Sequence, residues 1–248
     1  MGTVVAVANQ KGGVAKTTTA TTIAAALVES GLRVLLVDLD AQACATFSLG
    51  IDPEDLPTGL PKSYLAGDGP PPVMTTADGI DLLPATIDLA SADHAFAARS
   101  GRERLLADAI ESLVCEYDYI VIDCSPSLGL LTINALVAAD EVLVPLKCET
   151  LSHRGLGQLM EAIEEVRRWA NPDLRVAGIV PTLFDGRTTH ARAVLDDLGP
   201  RYNVPVFEAI PRSIRFAEAP AVGRTILATA PRSAGAAAYR KVAQALVS

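Results

Sequence analysis

Apolar residues in this chain fall into short, nearly continuous blocks, set apart by longer stretches with helical spacing. The blocks are Thr3–Ala8, Arg33–Val37, Ile80–Pro84, Tyr119–Ile122, Glu141–Pro145 and Val176–Val180. Runs this short, rich in Val, Ile and Leu, read as strands buried on both faces. Helices are predicted at Lys16–Ser30, Arg102–Glu116, Gly155–Ala170, Thr189–Leu198 and Gly235–Val247. Alternating strands and helices build βαβ units. The expected fold is therefore a single α/β domain over residues 1–248, a mostly parallel, doubly wound sheet flanked by helices. In such a fold ligands sit beyond the carboxyl ends of the strands. The segment from about 52 to 72 holds Pro53, Pro57, Pro61 and Pro70-Pro71-Pro72. It reads as a surface excursion and not an interdomain linker, because the strand pattern resumes after it.

Composition narrows the class. Half of the 248 residues are apolar but only 4% are aromatic, so Ala, Val, Leu and Ile must fill the core. No run of 18 apolar residues occurs, so no membrane span is expected. The first residues pass straight into a strand, and no signal peptide is expected. Cys44, Cys115, Cys124 and Cys148 form no C-x-x-C pair and read as reduced, cytosolic thiols. The three histidines show no ligand spacing, and no structural metal is expected. The net charge of −8 argues against a generally basic nucleic-acid binder. It is unevenly spread: residues 1–150 carry 8 basic and 20 acidic residues, net −12, and residues 151–248 carry 13 and 9, net +4. Taken alone, this asymmetry fits either a basic binding face or an ordinary solvated surface.

The candidate chemistry sits where the first strand meets the first helix. Asn9-Gln10-Lys11-Gly12-Gly13-Val14-Ala15-Lys16-Thr17-Thr18 joins them. A glycine-bearing turn at a helix N-terminus aims backbone N–H groups and the positive end of the helix dipole at an anion. Lys16 adds an ammonium for β/γ-phosphates and Thr17 a hydroxyl for Mg²⁺. The standard pattern G-x-x-x-x-G-K-[ST] wants glycine where Gln10 and Ala15 stand. If position 15 needs a positive φ, Ala15 costs on the order of 1 kcal/mol there. Two further strand ends supply carboxylates: Asp38-Leu39-Asp40-Ala41-Gln42 and Asp123-Cys124-Ser125-Pro126-Ser127. An apolar strand that ends in a carboxylate is costly unless the charge meets a metal, a lysine or water. Asp123 has the character of a Walker B acid serving Mg²⁺. Asp38 and Asp40 lie on one side of an extended chain. One is expected to help hold the phosphate loop while the other reaches the attacking water.

The stretch K-G-G-x-A-K-T-T resembles the deviant Walker A motif of the ParA/MinD superfamily of P-loop ATPases, with Lys11 in the place of the signature lysine. The resemblance runs along nearly the whole chain. It takes in Val37-Asp38-Leu39-Asp40-Ala41-Gln42, Ile122-Asp123-Cys124-Ser125-Pro126-Ser127-Leu128-Gly129, Thr182 to Thr188, and Ile210-Pro211-Arg212 with Arg215 and Glu218-Ala219-Pro220. In pattern it is similar to small chromosomal-type, Soj-like ParA ATPases. The resemblance implies a nucleotide-driven dimer switch. Gly12, Gly13, Val14, Ala15, Lys16, Thr17 and Thr18 would bind the phosphates of ATP or ADP. Thr17 and Asp123 would serve Mg²⁺, the latter directly or through water. Asp40 would position the hydrolytic water, and Lys11 would reach across a homodimer to the partner's ATP. Pro211 and Arg212 would flank the adenine. Arg187 and Arg215, with Arg224 a weaker candidate, would contact DNA without sequence readout. A ParB-like protein would stimulate hydrolysis, and the expected location is cytoplasmic and nucleoid-associated.

Three other readings stay open from the sequence. A membrane-cycling MinD-like ATPase needs a C-terminal amphipathic helix. Here the stripe Tyr239, Val242, Ala243 and Leu246 is expected to pack inward, and no membrane partner is expected. A metabolic enzyme on the same fold, an iron–sulfur reductase or an amide-forming ligase, is a second reading. The surroundings of Cys124 do not supply the cysteine pairs a bridged cluster needs. The third is an orphan relative in division or cell organisation, with ATP handling altered by Ala15. Ala41 and Ser125, which replace prolines of the family pattern, loosen two turns beside the site.

Overall fold

The computed structural model describes residues 2–149 and 152–247. Seven strands form one sheet: β1 Thr3–Val7, β2 Val34–Leu39, β3 Met74–Thr75, β4 Asp81–Leu83, β5 Tyr119–Cys124, β6 Glu141–Lys147 and β7 Arg175–Thr182. Their order is β3-β4-β2-β5-β1-β6-β7. Every pairing is parallel except the short edge contact of β3 with β4. The sheet buries both faces. One core forms around Leu35, Val37, Ile120, Ile122, Val142 and Val144, and the other around Val5, Val7, Leu36, Val121 and Leu143. That is why these strands read as unbroken apolar runs and not as alternating ones.

The second face is covered by α1 Lys16–Glu29 and α11 Ala234–Val247. Ala20, Ala24, Ile23 and Leu27 of α1 are buried there with Ala236, Tyr239, Val242 and Ala243 of α11. The small alanines let the helices approach closely, and Tyr239 OH meets Thr19 Oγ1 at 2.9 Å in the buried seam. The C-terminal stripe thus packs against the protein itself. The other face carries α6 Leu130–Ala138 and α7 Ser152–Trp169. The remaining helices are α2 Cys44–Ser48, α3 Leu60–Ala66, α4 Ala92–Ala95, α5 Leu105–Ile110, α8 Thr189–Tyr202, α9 Arg215–Glu218 and α10 Ile226–Thr229.

Three segments depart from the sequence reading. The helix expected over Arg102–Glu116 is broken into a 3-10 turn at Arg102–Arg104, the short α5, and a 3-10 turn at Leu113–Cys115. Asn134 makes the first break. Its Nδ2 donates to Arg102 O at 2.9 Å and its Oδ1 accepts from Leu106 N at 3.0 Å, so it caps α5 from outside. Helix α6 was not predicted. Leu130-Leu131-Thr132-Ile133-Asn134-Ala135-Leu136-Val137-Ala138 is apolar nearly all round and has no amphipathic period to read. The proline-rich excursion holds a helix of its own. In α3, Pro61 sits in the first turn, where its missing N–H is harmless, and Tyr64 and Leu65 are buried in the core.

Candidate nucleotide site

The strand order decides what the site contains. β5 lies between β1 and β2, with Val7 paired to Asp123 and Asp38 paired to Asp123 in register. Neighbouring strands lie about 4.8 Å apart. The three strand ends singled out in the sequence are therefore brought side by side at one edge of the sheet.

The loop after β1 is fastened at several points. Asn9 Nδ2 donates to Pro145 O at 2.7 Å, and Lys11 N donates to Asn9 Oδ1 at 3.0 Å. On the far side, Thr182 Oγ1 at the end of β7 donates to Val14 O at 2.9 Å. Gly13 has φ +70°, which glycine adopts without strain. Ala15 has φ +63° and ψ +37°, so the conditional cost in the sequence reading is real: this alanine holds the left-handed conformation that glycine would adopt freely. Gly12 needs no such φ, and a Cβ built on it or on Gly13 meets nothing within 4 Å. The protein's own packing does not demand glycine at position 12. The open space beside it suits a ligand lying against the backbone.

Lys16 is buried, and its Nζ donates to Lys11 O at 3.2 Å across the loop. Burial lowers its pKa, while Asp123, Cys124 and Asp40 pull the other way. Asp123 is fully buried and neither of its carboxylate oxygens has a hydrogen-bond partner. Burial first, and the facing Asp38 second, push its pKa well above the usual carboxylate range; the Thr17 hydroxyl and the Lys16 ammonium oppose this. An orphaned, buried carboxylate beside a helix N-terminal hydroxyl fits a divalent cation, which would cancel the charge that burial disfavours. The donor set therefore suits Mg²⁺ shared with phosphates, a use that needs only one or two protein ligands.

Asp38 and Asp40 split the work differently from the sequence reading. Asp38 does not reach the phosphate loop. It accepts from Thr46 N at 2.8 Å, Thr46 Oγ1 at 2.7 Å and Asp40 N at 3.2 Å, and so pins α2 to the sheet. β2 ends at Leu39, and the chain turns back after Asp40, where Ala43 N donates to Asp40 O at 2.8 Å, which brings Thr46 over Asp38. Burial raises the Asp38 pKa to about 6 despite these bonds. Asp40 is half-buried and accepts from Gln42 N at 3.0 Å through Oδ1. Ala43, at the N-cap of α2, has φ +50°, a second left-handed alanine that the sequence did not announce.

Lys11 stands at the rim. Its Nζ pairs with Glu149 Oε2 at 3.0 Å, and Lys147 holds the other oxygen of Glu149 at 2.5 Å. Pro211 and Arg212 run beside the end of β7, where Arg212 N donates to Phe184 O at 3.1 Å and Pro211 bridges to Phe184. Arg187 is exposed, and Arg215 is exposed and paired to Glu218 within α9. Arg224 is differently engaged. Its guanidinium binds the buried Asp78, whose other oxygen accepts from Thr225 N at 2.7 Å. It serves as a strut between the β3–β4 hairpin and the C-terminal segment. The sequence reading missed Thr46, Glu149 and Asp78; Glu149 and Asp78 act on residues far along the chain, and Thr46 acts through the turn just after Asp40.

A family model described as an AAA domain matches residues 2–176. The chain is 44% identical over 243 residues to the chromosome-partitioning ATPase Soj of Thermus thermophilus, covering 97% of this chain and 93% of that protein. It belongs to the ParA/MinD superfamily of P-loop ATPases. Within that superfamily it is Soj-like. Solved structures agree on the fold. The cell division ATPase MinD of Pyrococcus furiosus superposes with a TM-score of 0.80 at 28% identity, over 100% of this chain and 99% of that one. A structure of cobyrinic acid a,c-diamide synthase from Mycobacterium smegmatis with bound ADP and magnesium superposes at 0.89 with 50% identity, over 100% and 94%. Among the described residues of this ParA/MinD-type chain, no helix is long and apolar enough to cross a membrane.

Proposed function

We propose that this chain is an ATP-dependent dimerising switch that binds DNA without sequence readout. It hydrolyses ATP slowly, is stimulated by a ParB-like partner, and works in chromosome or plasmid segregation or a related positioning task in the cytoplasm. The observation that carries this reading is the division between two lysines. Lys16 is buried and folded into its own loop, where it serves the phosphates of its own chain. Lys11 stands at the rim in a pair with Glu149 whose side chains are about a third to a half exposed. Pairs of this kind contribute about 0–1 kcal/mol, so Lys11 can exchange Glu149 for a partner's nucleotide at little cost.

In this reading the amides from Gly12 to Thr18 bind phosphate, Asp40 orients the attacking water, and Pro211 and Arg212 flank the adenine. Thr17 and Asp123 hold Mg²⁺, which when bound neutralises charge on the phosphate oxygens. Arg187 and Arg215 lie on exposed segments of the basic C-terminal part. Joined in a dimer, two such surfaces bind DNA bivalently, with an affinity that falls steeply with salt through counterion release. The similarity to a protein named as a chromosome-partitioning ATPase supports the assignment. The test is DNA binding measured with ADP, with ATP and with a slowly hydrolysed analogue, together with the oligomeric state. Binding and dimers are expected with ATP and the analogue and not with ADP. Lys11→Ala is expected to bind ATP but remain monomeric. An Arg215→Ala protein that dimerises and binds DNA undiminished removes that residue from the interface.

One observation favours a second reading. The 50% identical structure carries the name of an amide-forming synthase. Amidation of cobyrinic acid by the purified chain, with ATP consumption, would establish that activity. Its absence alongside ATP-dependent DNA binding would leave the partition reading in place. Because the apolar stripe of α11 is buried, no co-sedimentation with liposomes is expected in the presence of ATP.

A further inference from the structure

Helix α6 begins directly after the loop that follows Asp123 and Cys124 at the end of β5, and its N-cap residue, Gly129, has no side chain to offer the first free amides. A carboxylate from elsewhere in the chain takes that place. Asp93, in α4, accepts a hydrogen bond from Leu130 N at 3.2 Å through Oδ1, across 37 residues of sequence. Its Oδ2 lies 3.4 Å from where a Cβ on Gly129 would stand, so the carboxylate rests against the bare glycine backbone. A carboxylate in this position satisfies an unpaired N–H and meets the positive end of the helix dipole. The loop is braced from within as well: Thr132 Oγ1 donates to Ser127 O at 2.5 Å, and the Ser125 and Ser127 hydroxyls meet at 3.1 Å.

Asp93 has a second face. Together with Asp40, Ala41, Ser125 and Ser127 it lines a cavity of about 140 Å³. The carboxylate that fixes the start of α6 is also a wall of the space that opens on Asp40. Its own segment is anchored just upstream. Asp88 accepts from Gly59 N at 2.5 Å, and Lys62 Nζ donates to Ser91 Oγ at 3.1 Å, tying the turn before α4 to α3.

We infer that Asp93 is a positioning residue for hydrolysis. It caps α6 from across the fold and thereby fixes the Ser125–Gly129 loop against the cavity beside Asp40. This rests on the reading of the site as one that hydrolyses ATP. Asp93 makes no hydrogen bond or ion pair to the phosphate loop, so its loss acts on the turnover step and leaves the binding of ATP to Lys16 and the loop amides intact.

The test compares the full-length wild type with Asp93→Ala and Asp93→Asn by two measurements. The first is amide hydrogen exchange of the Ser125–Leu131 segment without nucleotide. The second is steady-state hydrolysis of Mg-ATP. Asp93→Ala is expected to speed exchange at Leu130 and Leu131 and to lower kcat, each about fivefold, the factor that loss of an N-cap carries. KM for ATP should stay within about twofold, the split expected when an interaction acts on turnover alone. Asp93→Asn, whose amide oxygen accepts the same bond, should restore both. Unchanged exchange in Asp93→Ala overturns the cap. A raised KM at constant kcat, or a loss that Asn does not rescue, overturns the positioning role. A wild type that binds ATP but never turns it over overturns the ATPase reading and this role with it, while the exchange result still decides whether the cap exists.

Discussion

Asp38 and Asp123 end adjacent strands, face each other in register and are both wholly removed from solvent. Their circumstances are nevertheless opposite. Asp38 receives three donors within 3.2 Å, all from the segment just downstream of it. Asp123 has no donor in hydrogen-bond geometry and is approached only by the Thr17 hydroxyl and the Lys16 ammonium. A buried carboxylate with a full set of donors is part of the structure; one with none has been left for something that comes later. The contrast teaches that burial and strand-end position do not make an acid functional. What separates the two is whether the protein has already satisfied it.

The strongest way to break this contrast is to remove the charge of Asp123. Asp123→Asn should lower Mg²⁺-dependent ATP hydrolysis by at least about a hundredfold, as loss of a metal-serving carboxylate at a phosphoryl-transfer site would. Without nucleotide the same protein should melt at a higher temperature than the wild type, because an unpaired buried charge has gone. Lower nucleotide-free stability would mean that Asp123 is already a structural residue.

The matching change on the other strand should act in the opposite sense. Asp38→Ala leaves Thr46 N, Thr46 Oγ1 and Asp40 N without their acceptor. It should cost about 3 kcal/mol, seen as a melting temperature lower by about 6–12 °C. Chemical denaturation of the two variants side by side would measure both terms.

A subtler signature is the pH dependence. The Asp38 pKa is raised in the folded chain to about 6, above its ordinary value of 3.8. The folded state therefore holds this proton more tightly than the unfolded state. The resulting stability is complete below about pH 4 and is lost as pH rises through about 6. The penalty of Asp38→Ala should accordingly be larger at pH 4 than at pH 8. A penalty that grows with pH across that window would reverse the assignment.

The smallest effect concerns the two helices that start beside these acids. Ala15 and Ala43 both hold left-handed conformations at the N-caps of α1 and α2. Relief of strain by glycine is partly offset by the greater freedom of the unfolded chain, so Ala15→Gly should stabilise by only about 0.5 kcal/mol. If the strain is released when phosphate binds, Ala15→Gly removes that gain, and ATP affinity measured by calorimetry should fall, by no more than a few-fold.

Much of this site was legible because its residues are close in sequence to features with strong local signals. The strand before Asn9, the glycines and the Lys16-Thr17 step identify a phosphate loop from local chemistry alone. The same holds for Asp40 and Asp123 after apolar strands. What was not legible depends on how the chain turns back on itself, locally or from far away. Thr46 reaches Asp38 only because the chain turns after Asp40. Asn134 breaks the expected helix over residues 102–116 from outside it. Helix α6 carries no period because it is apolar nearly all round, on its partly exposed side at Leu130, Leu131 and Ile133 as well as on its buried one. Arg224 looked like a free cation until Asp78, 146 residues away, was found against it.

The sequence by itself determined the strand–helix alternation, the phosphate loop with its second lysine, and the acids that end two strands. These are local matters, fixed by which residues a strand end or a helix start tolerates. The tertiary structure decided which acid is satisfied and which is left open, that Ala15 is held at positive φ, and which arginine is a strut. Those outcomes depend on what packs against a side chain from elsewhere, and the cost of leaving a buried group unpaired is set there.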